Sequence, residues 1–244
     1  SILLEYAKLL REDGQLEESL ECLEKVYARD ASSYVAGLIG SVLLSLGRTA
    51  SAISYYKKAL DIAEHPTAAL LAGHGSALLR AHQIEAALEQ LRQSIDLKPD
   101  NPITHITYAK ALGAAGLQAE ATAAYQRASE LEPGNVMTLV TVGSRLLRAG
   151  DSATAVHYLQ KAAAKKEGNN SRTLRALATA LRKQGRDEES LDVLEQLVQL
   201  EPKNRAVLME YANFLREDGQ LEEALTVLLN ANDLQPASDS AEQI

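Results

Sequence analysis

Five histidines, one cysteine and several runs of paired acids are the groups in this 244-residue chain that could carry chemistry. A zinc site on a helix needs two imidazoles at i and i+4, so that both reach one ion. His74 and His82 stand eight apart, and His65, His105 and His157 are spread along the chain, so that pairing does not occur. Cys22 stands alone, without a Cys-x-x-Cys pair, which supports neither an internal disulfide nor a cysteine metal cage. Gly73-His74-Gly75 is no phosphate loop, because it lies inside a helical pattern and lacks both a preceding strand and a following Lys-Ser/Thr. Glu12-Asp13 with Glu17-Glu18, and Glu217-Asp218 with Glu222-Glu223, imitate paired carboxylates. They flank a helix turn and should be solvated, whereas two acids divide into donor and base only when their surroundings push their pKa values apart. No Ser, His and Asp grouping stands out. The expectation is a protein that is not an enzyme and that holds no cofactor and no metal.

A different chemistry is offered by Arg172, Arg175 and Arg182, which with Thr179 fall on one helical face. Three guanidinium groups in that arrangement can fork onto the carboxylates of a partner. The alternative is that they are solvated or pair with neighbouring acids such as Asp187 and Glu188. The overall balance is acidic, with 33 Asp and Glu against 25 Lys and Arg for a net charge of -8. That sign favours a protein or peptide partner and disfavours nucleic acid and anionic membrane. No run approaches the ~18 consecutive apolar residues of a membrane span, so direct membrane insertion is not expected. The chain opens on Ser1-Ile2-Leu3-Leu4, already inside a helical pattern, which reads as a segment of something longer. Its compartment is left open, cytoplasmic and periplasmic both being compatible.

The elements that must carry these groups are read from a recurring landmark. Leu97-Lys98-Pro99-Asp100-Asn101, Leu131-Glu132-Pro133-Gly134-Asn135 and Leu200-Glu201-Pro202-Lys203-Asn204 share one Leu-x-Pro-x-Asn pattern, and Leu234-Gln235-Pro236 begins another. The first two start 34 residues apart. Pro stops one helix, since it lacks an N–H and clashes with the preceding turn, and the Asn caps the next by accepting an N–H bond. Midway between landmarks a Gly recurs, at Gly14, Gly47, Gly116, Gly150, Gly185 and Gly219, with His82 in the third slot. A left-handed turn closing a helix suits a residue without Cβ. Five residues on comes a small side chain, Ser19, Ala52, Ala87, Ala121, Ala155, Ser190 or Ala224. Four further on comes a larger one, Leu23, Tyr56, Leu91, Tyr125, Leu159, Leu194 or Leu228, which keeps the apolar stripe of an amphipathic helix. Each unit is therefore predicted to be two helices of about 12 to 14 residues joined by a short turn.

This spacing resembles the 34-residue tetratricopeptide repeat, over nearly the whole chain. The family's Trp position is filled by Leu3, Ala36, Leu71, His105, Leu139, Leu174 and Leu208, and its first-helix Gly survives at Gly40, Gly75 and Gly143. The resemblance implies an all-α fold, an α-solenoid of tandem antiparallel helix hairpins. Seven units are expected, at 1–32, 33–67, 68–101, 102–135, 136–170, 171–204 and 205–238, as a single array with a tail at 239–244. Extra residues around His65-Pro66 and Gly168-Asn169-Asn170 lengthen two surface connections. His74, at an inward consensus position, and His105, at the Trp position, are expected to pack.

In that family the second, fifth, ninth and twelfth positions of the first helices face a concave groove. Carried over, the resemblance places Tyr34, Gly37, Ser41 and Leu44 there, then Ala69, Ala72, Ser76 and Leu79, then Ile103, Ile106, Lys110 and Gly113, then Met137, Val140, Ser144 and Leu147. Arg172, Arg175, Thr179 and Arg182 follow from the sixth unit and Asn213 from the seventh. The implied function is a protein-interaction scaffold that holds an extended peptide or partner helix with an apolar body and an acidic end. Family members that grip chaperone tails use Lys and Asn at set positions; only Lys8 corresponds here, with Leu38 and Ser41 where Asn would stand.

Glu5-Tyr6-Ala7 and Leu10 to Glu18 recur almost unchanged 205 residues later, at Glu210-Tyr211-Ala212 and Leu215 to Glu223. Recent duplication accounts for this, and so does head-to-tail stacking of end units. Leu221, Leu225, Leu228 and Leu229 would leave an apolar strip on the last helix, to be covered by another chain or by further repeats. Two other functions stay open: a substrate-recruiting or regulatory array of a larger enzyme, such as a glycosyltransferase, and a self-assembling structural scaffold.

Overall fold

The structure, a computed structural model, describes residues 2–233. Leu234-Gln235-Pro236 and the 239–244 tail lie outside them. The described residues form fourteen helices and no strand. They divide into two compact units at Leu131/Glu132.

Unit one holds α1 (Ile2–Glu12), α2 (Leu16–Arg29), α3 (Ser33–Ser45), α4 (Thr49–Ile62), α5 (Ala68–Arg80), α6 (Ile84–Leu97), α7 (Pro102–Ala114) and α8 (Gln118–Leu131). Unit two holds α9 (Val136–Arg148), α10 (Ser152–Ala163), α11 (Ser171–Lys183), α12 (Asp187–Leu200), α13 (Arg205–Glu217) and α14 (Leu221–Asp233). In each unit odd and even helices pack as consecutive hairpins. The even helix then packs on the next odd one, as in α2 on α3 and α4 on α5 in unit one, or α10 on α11 and α12 on α13 in unit two. Each hairpin thus buries its faces against its sequence neighbours, which is solenoid packing.

The boundaries follow from single residues. Ser32, Thr67, Asn101, Asn135, Asn170 and Asn204 each accept a backbone N–H from the first turn of the odd helix they precede, at 3.0–3.4 Å. These caps satisfy donors that the helix itself leaves unpaired. The turns inside the hairpins close alike: Gly14, Gly47, Gly116, Gly150, Gly185 and Gly219 have φ of 70–89°. In each of the seven the following residue donates its N–H to a carbonyl five back, for example Arg48 to Leu43 at 2.9 Å and Asp151 to Leu146 at 3.0 Å. His82 makes the same turn at φ 58° and is the one non-Gly residue in that region among the described residues.

Where odd and even helices cross, the small positions are sealed. Ala52, Ala87, Ala155 and the two serines Ser19 and Ser190 are 0% exposed. Ser19 Oγ donates to the Ala7 carbonyl at 2.7 Å, and Ser190 Oγ to that of Ala178 at 2.9 Å, so a hydroxyl replaces a methyl without leaving a buried polar atom unpaired. The larger residue one turn on fills the space opposite: a Cβ at Gly75 or Gly143 would lie 2.7 Å from Leu91 or Leu159. His105 is buried at the Trp position and its Nε2 lies 2.8 Å from the Pro99 carbonyl.

Candidate functional site

The odd helices of unit one enclose a concavity of about 800 Å³. Tyr34, Gly37, Leu38 and Ser41 of α3 form one wall, Ala69, Leu70 and Gly73 of α5 the other, and Ile62 to Thr67 the end, with Arg11 of α1 at the rim. The space exists because Gly37, Ala69 and Gly73 withhold side-chain atoms. Its floor is the ring of Tyr56, which α4 inserts beneath Gly40 and Gly73; a Cβ at Gly73 would meet that ring at 2.7 Å. Burial pushes the Tyr56 hydroxyl pKa up, while a hydrogen bond with Ser41 and the charges of Arg11 and Arg80 act against it. At the mouth Tyr34 is exposed, with Lys8 Nζ 5.3 Å from its ring centroid and 2.9 Å from Glu5. Those two contacts, Glu5 first, raise the Lys8 pKa.

The remaining expected positions of unit one differ in access. Ser76 and Leu79 are half-buried, and the Ser76 hydroxyl donates to the Ala72 carbonyl at 2.9 Å. Ile103 is exposed and Lys110 half-buried. Leu44 and Ile106 are buried; Arg80 Nη1 reaches across from α5 to the Leu44 carbonyl at 2.7 Å. His74, one turn below the concavity, is half-buried with Nδ1 3.2 Å from Gln90 Oε1. Burial lowers its pKa, against that contact.

In unit two Met137 is exposed, whereas Val140 and Leu147 are buried in the hairpin core. Arg172, Arg175, Thr179 and Arg182 share the outward face of α11, as their spacing predicts, and all are exposed. Their partners are not Asp187 and Glu188. Arg175 Nε lies 3.1 Å from Glu210 of α13, and Arg182 pairs with Glu217 while lying over the Phe214 ring at 5.0 Å. The acids come from the next odd helix, whereas Asp187 and Glu188 open α12. Arg172 flanks a shallow recess of about 530 Å³ with Ser171, Thr179, Glu201 and Asn204. Hydrogen bonds from Ser171 and Asn204, with the nearby Arg175 charge, lower the Glu201 pKa. Asn213 is exposed on α13, between Glu210 and Glu217 in sequence.

Thus Tyr34 and Ser41 meet around one concavity, the α11 arginines form an ion-paired face, and Leu44, Ile106, Val140 and Leu147 serve packing. Sequence reasoning missed Arg11, Tyr56, Ile62 and Gly73. Of these only Gly73 carried a signal, as a second Gly beside Gly75 inside a helix. Among the described residues no group of three or more His, Cys, Asp or Glu could hold a metal ion, and no helix is long and apolar enough to cross a membrane.

Tetratricopeptide repeat models match residues 31–100, 73–136 and 171–214. No curated protein sequence matches the chain. Among solved structures it is similar to the C-terminal part of a TPR repeat-containing protein from Cytophaga hutchinsonii, with TM-score 0.75, 16% identity and coverage of 97% of this chain and 96% of that one. It is similar to MamA from Desulfovibrio magneticus, with TM-score 0.57, 19% identity, and 73% and 100% covered. A third, YrrB, described as a TPR protein with an unusual peptide-binding site, gives TM-score 0.54, 20% identity, and 71% and 89% covered. The matched segments carry the same Gly turns, small crossing residues and capped odd helices that build the hairpins, and the chain belongs to the tetratricopeptide repeat family.

Proposed function

We propose that the protein is a protein-interaction scaffold and that its odd helices hold an extended peptide. The observation that carries this reading is the concavity between α3 and α5, with apolar walls of Leu38, Leu70 and Ile62 and a Tyr ring as floor. Binding sites for side chains are concave and largely apolar, with a few polar groups that fix orientation. Ser41, Thr67 and Arg11 supply those groups here. The peptide-binding site named for YrrB supports the same use of the fold.

The α11 face of unit two is a site of its own, for an acidic peptide. Its ion pairs to Glu210 and Glu217 are about half exposed, and such pairs contribute ~0–1 kcal/mol each. A partner carboxylate can therefore displace the internal acid at little cost. Asn213 lies beside the pairs and offers an uncharged donor. The net charge of -8 favours a protein or peptide partner over nucleic acid.

Selection from a random 12-residue peptide phage library tests the reading. Bound sequences should fall into two classes, one carrying a large apolar residue and one an acidic stretch. Ala69→Trp, which fills the concavity from an exposed position, should weaken the first class at least about tenfold, a loss of ~1.4 kcal/mol. Arg175→Glu should weaken the second class and flatten its salt dependence. Peptides selected by the native chain that bind both variants equally well would refute the assignment.

A further inference from the structure

We infer that the concavity between α3 and α5 binds a large apolar residue of the partner together with an acidic side chain close to it in sequence, and that Arg11 holds the carboxylate. This rests on the reading of that concavity as a peptide site and names what the peptide must carry. Arg11 lines the space from α1 and is half-buried. Among the described residues no carboxylate forms an ion pair with it. The other cation at the mouth, Lys8, is engaged by Glu5 at 2.9 Å and lies over the Tyr34 ring. A half-buried guanidinium has lost part of its hydration, and an anion supplied by a partner replaces it with charge-assisted hydrogen bonds.

The chain contains its own control. In unit two Arg182, three residues before Gly185, pairs with Glu217, two residues before Gly219 on the next odd helix. Arg11 likewise stands three residues before Gly14, but two residues before Gly47 the next odd helix carries Ser45. Ser45 is exposed and its hydroxyl donates to the Ser41 carbonyl at 3.1 Å. The place that holds an acid in unit two is therefore uncharged in unit one. Deeper in the concavity the Tyr56 and Ser41 hydroxyls are bonded to each other, which uses one of their two protons and leaves the other for an acceptor. The charges of Arg11 and Arg80 both reach the Tyr56 hydroxyl, so the potential there is positive. Arg80 already donates to the Leu44 carbonyl at 2.7 Å, which makes Arg11 the guanidinium available to a ligand. The exposed Glu64, in the connection between α4 and α5, lines the same space and repels a second acid. Odd helices run from a capped connection to a Gly turn, so Arg11 and Glu64 stand at opposite ends. The preferred ligand is a large apolar residue with an acid on one side only.

A phage library of 12-residue peptides with Trp fixed at the centre and every other position random tests this. Peptides bound by the native chain and weakened by Ala69→Trp should be enriched in Asp or Glu on one side of the Trp. Synthesised with both ends blocked, they should bind Arg11→Gln at least about tenfold more weakly, with an unchanged thermal melt. Ser45→Glu, at an exposed position, places an acid of the chain beside Arg11 and should weaken the same peptides without touching the guanidinium. Replacing the selected acid by Lys should abolish binding to the native chain, and Arg11→Glu should recover it, a reversal that loss of packing cannot produce. If no selected peptide is weakened by Ala69→Trp, the concavity is no peptide site and the underlying reading falls. Peptides that respond to Ala69→Trp but show no acid enrichment, or that bind Arg11→Gln and Ser45→Glu as they bind the native chain, overturn the role of Arg11 and leave that reading in place.

Discussion

A single backbone angle separates the third hairpin turn from the other six. His82 adopts φ 58° where six glycines adopt 70–89°, and a side chain in that region costs roughly 1–2 kcal/mol. The turn keeps its geometry because the Gln83 N–H still bonds the Leu78 carbonyl at 3.0 Å. Since the His82 side chain is exposed, replacing it removes no packing. His82→Gly should therefore stabilise the chain by about 0.5–1 kcal/mol in urea titration, the relief being reduced by the greater freedom of Gly when unfolded. At this scale the sequence was fully legible, because a slot with a Gly pattern and one exception states its own dihedral. Tyr56 shows the opposite case: its place in the stripe of α4 was readable, but its use as the floor of a concavity depends on Gly73, 17 residues later.

Helix boundaries are decided within three or four residues, which is why the sequence alone names Asn101, Asn135 and Asn204 as caps, while Asn170, in a connection without the Pro, caps in the same way. Asn170 Oδ1 accepts from the Thr173 N–H at 3.1 Å and the Thr173 hydroxyl at 3.2 Å, while its Nδ2 donates to the Glu167 carbonyl at 3.0 Å. Asn170→Ala should cost about 1 kcal/mol, with the loss of amide protection concentrated in the first turn of α11 when followed by hydrogen exchange. The rotation of a helix about its own axis is set less locally. The four-position pattern assigned Leu44, Ile106, Val140 and Leu147 to an open wall, yet all four are buried. They lie at the edge of the apolar stripe, where a small rotation moves a side chain from groove to core. Neighbouring helices choose that rotation, and for Leu44 the choice is reinforced by Arg80, 36 residues on.

Within each unit, packing of each hairpin on its neighbours makes stability a sum of local terms. Leu91 is 0% exposed within the α5–α8 part of unit one, and Leu91→Ala should cost ~2–5 kcal/mol there. Hydrogen exchange should show the loss among α5 to α8, with protection in 132–233 unchanged; a uniform loss over both units would show instead that the chain opens as one body.

The fold class, the hairpin period, the position of each hairpin turn and the caps Asn101, Asn135 and Asn204 were determined by the sequence alone. Each rests on one residue or on a few neighbours: a missing N–H at Pro, a missing Cβ at Gly, a carboxamide within reach of the next turn. Tertiary structure decided which groups are available to a partner. The space between α3 and α5 is defined by atoms absent at Gly37 and Gly73, and the arginines of α11 are held by Glu210 and Glu217 and not by the acids next to them in sequence. Access of that kind depends on distances between helices far apart in the chain. Those distances are set by the volumes of both packed faces together, a quantity that no single segment contains.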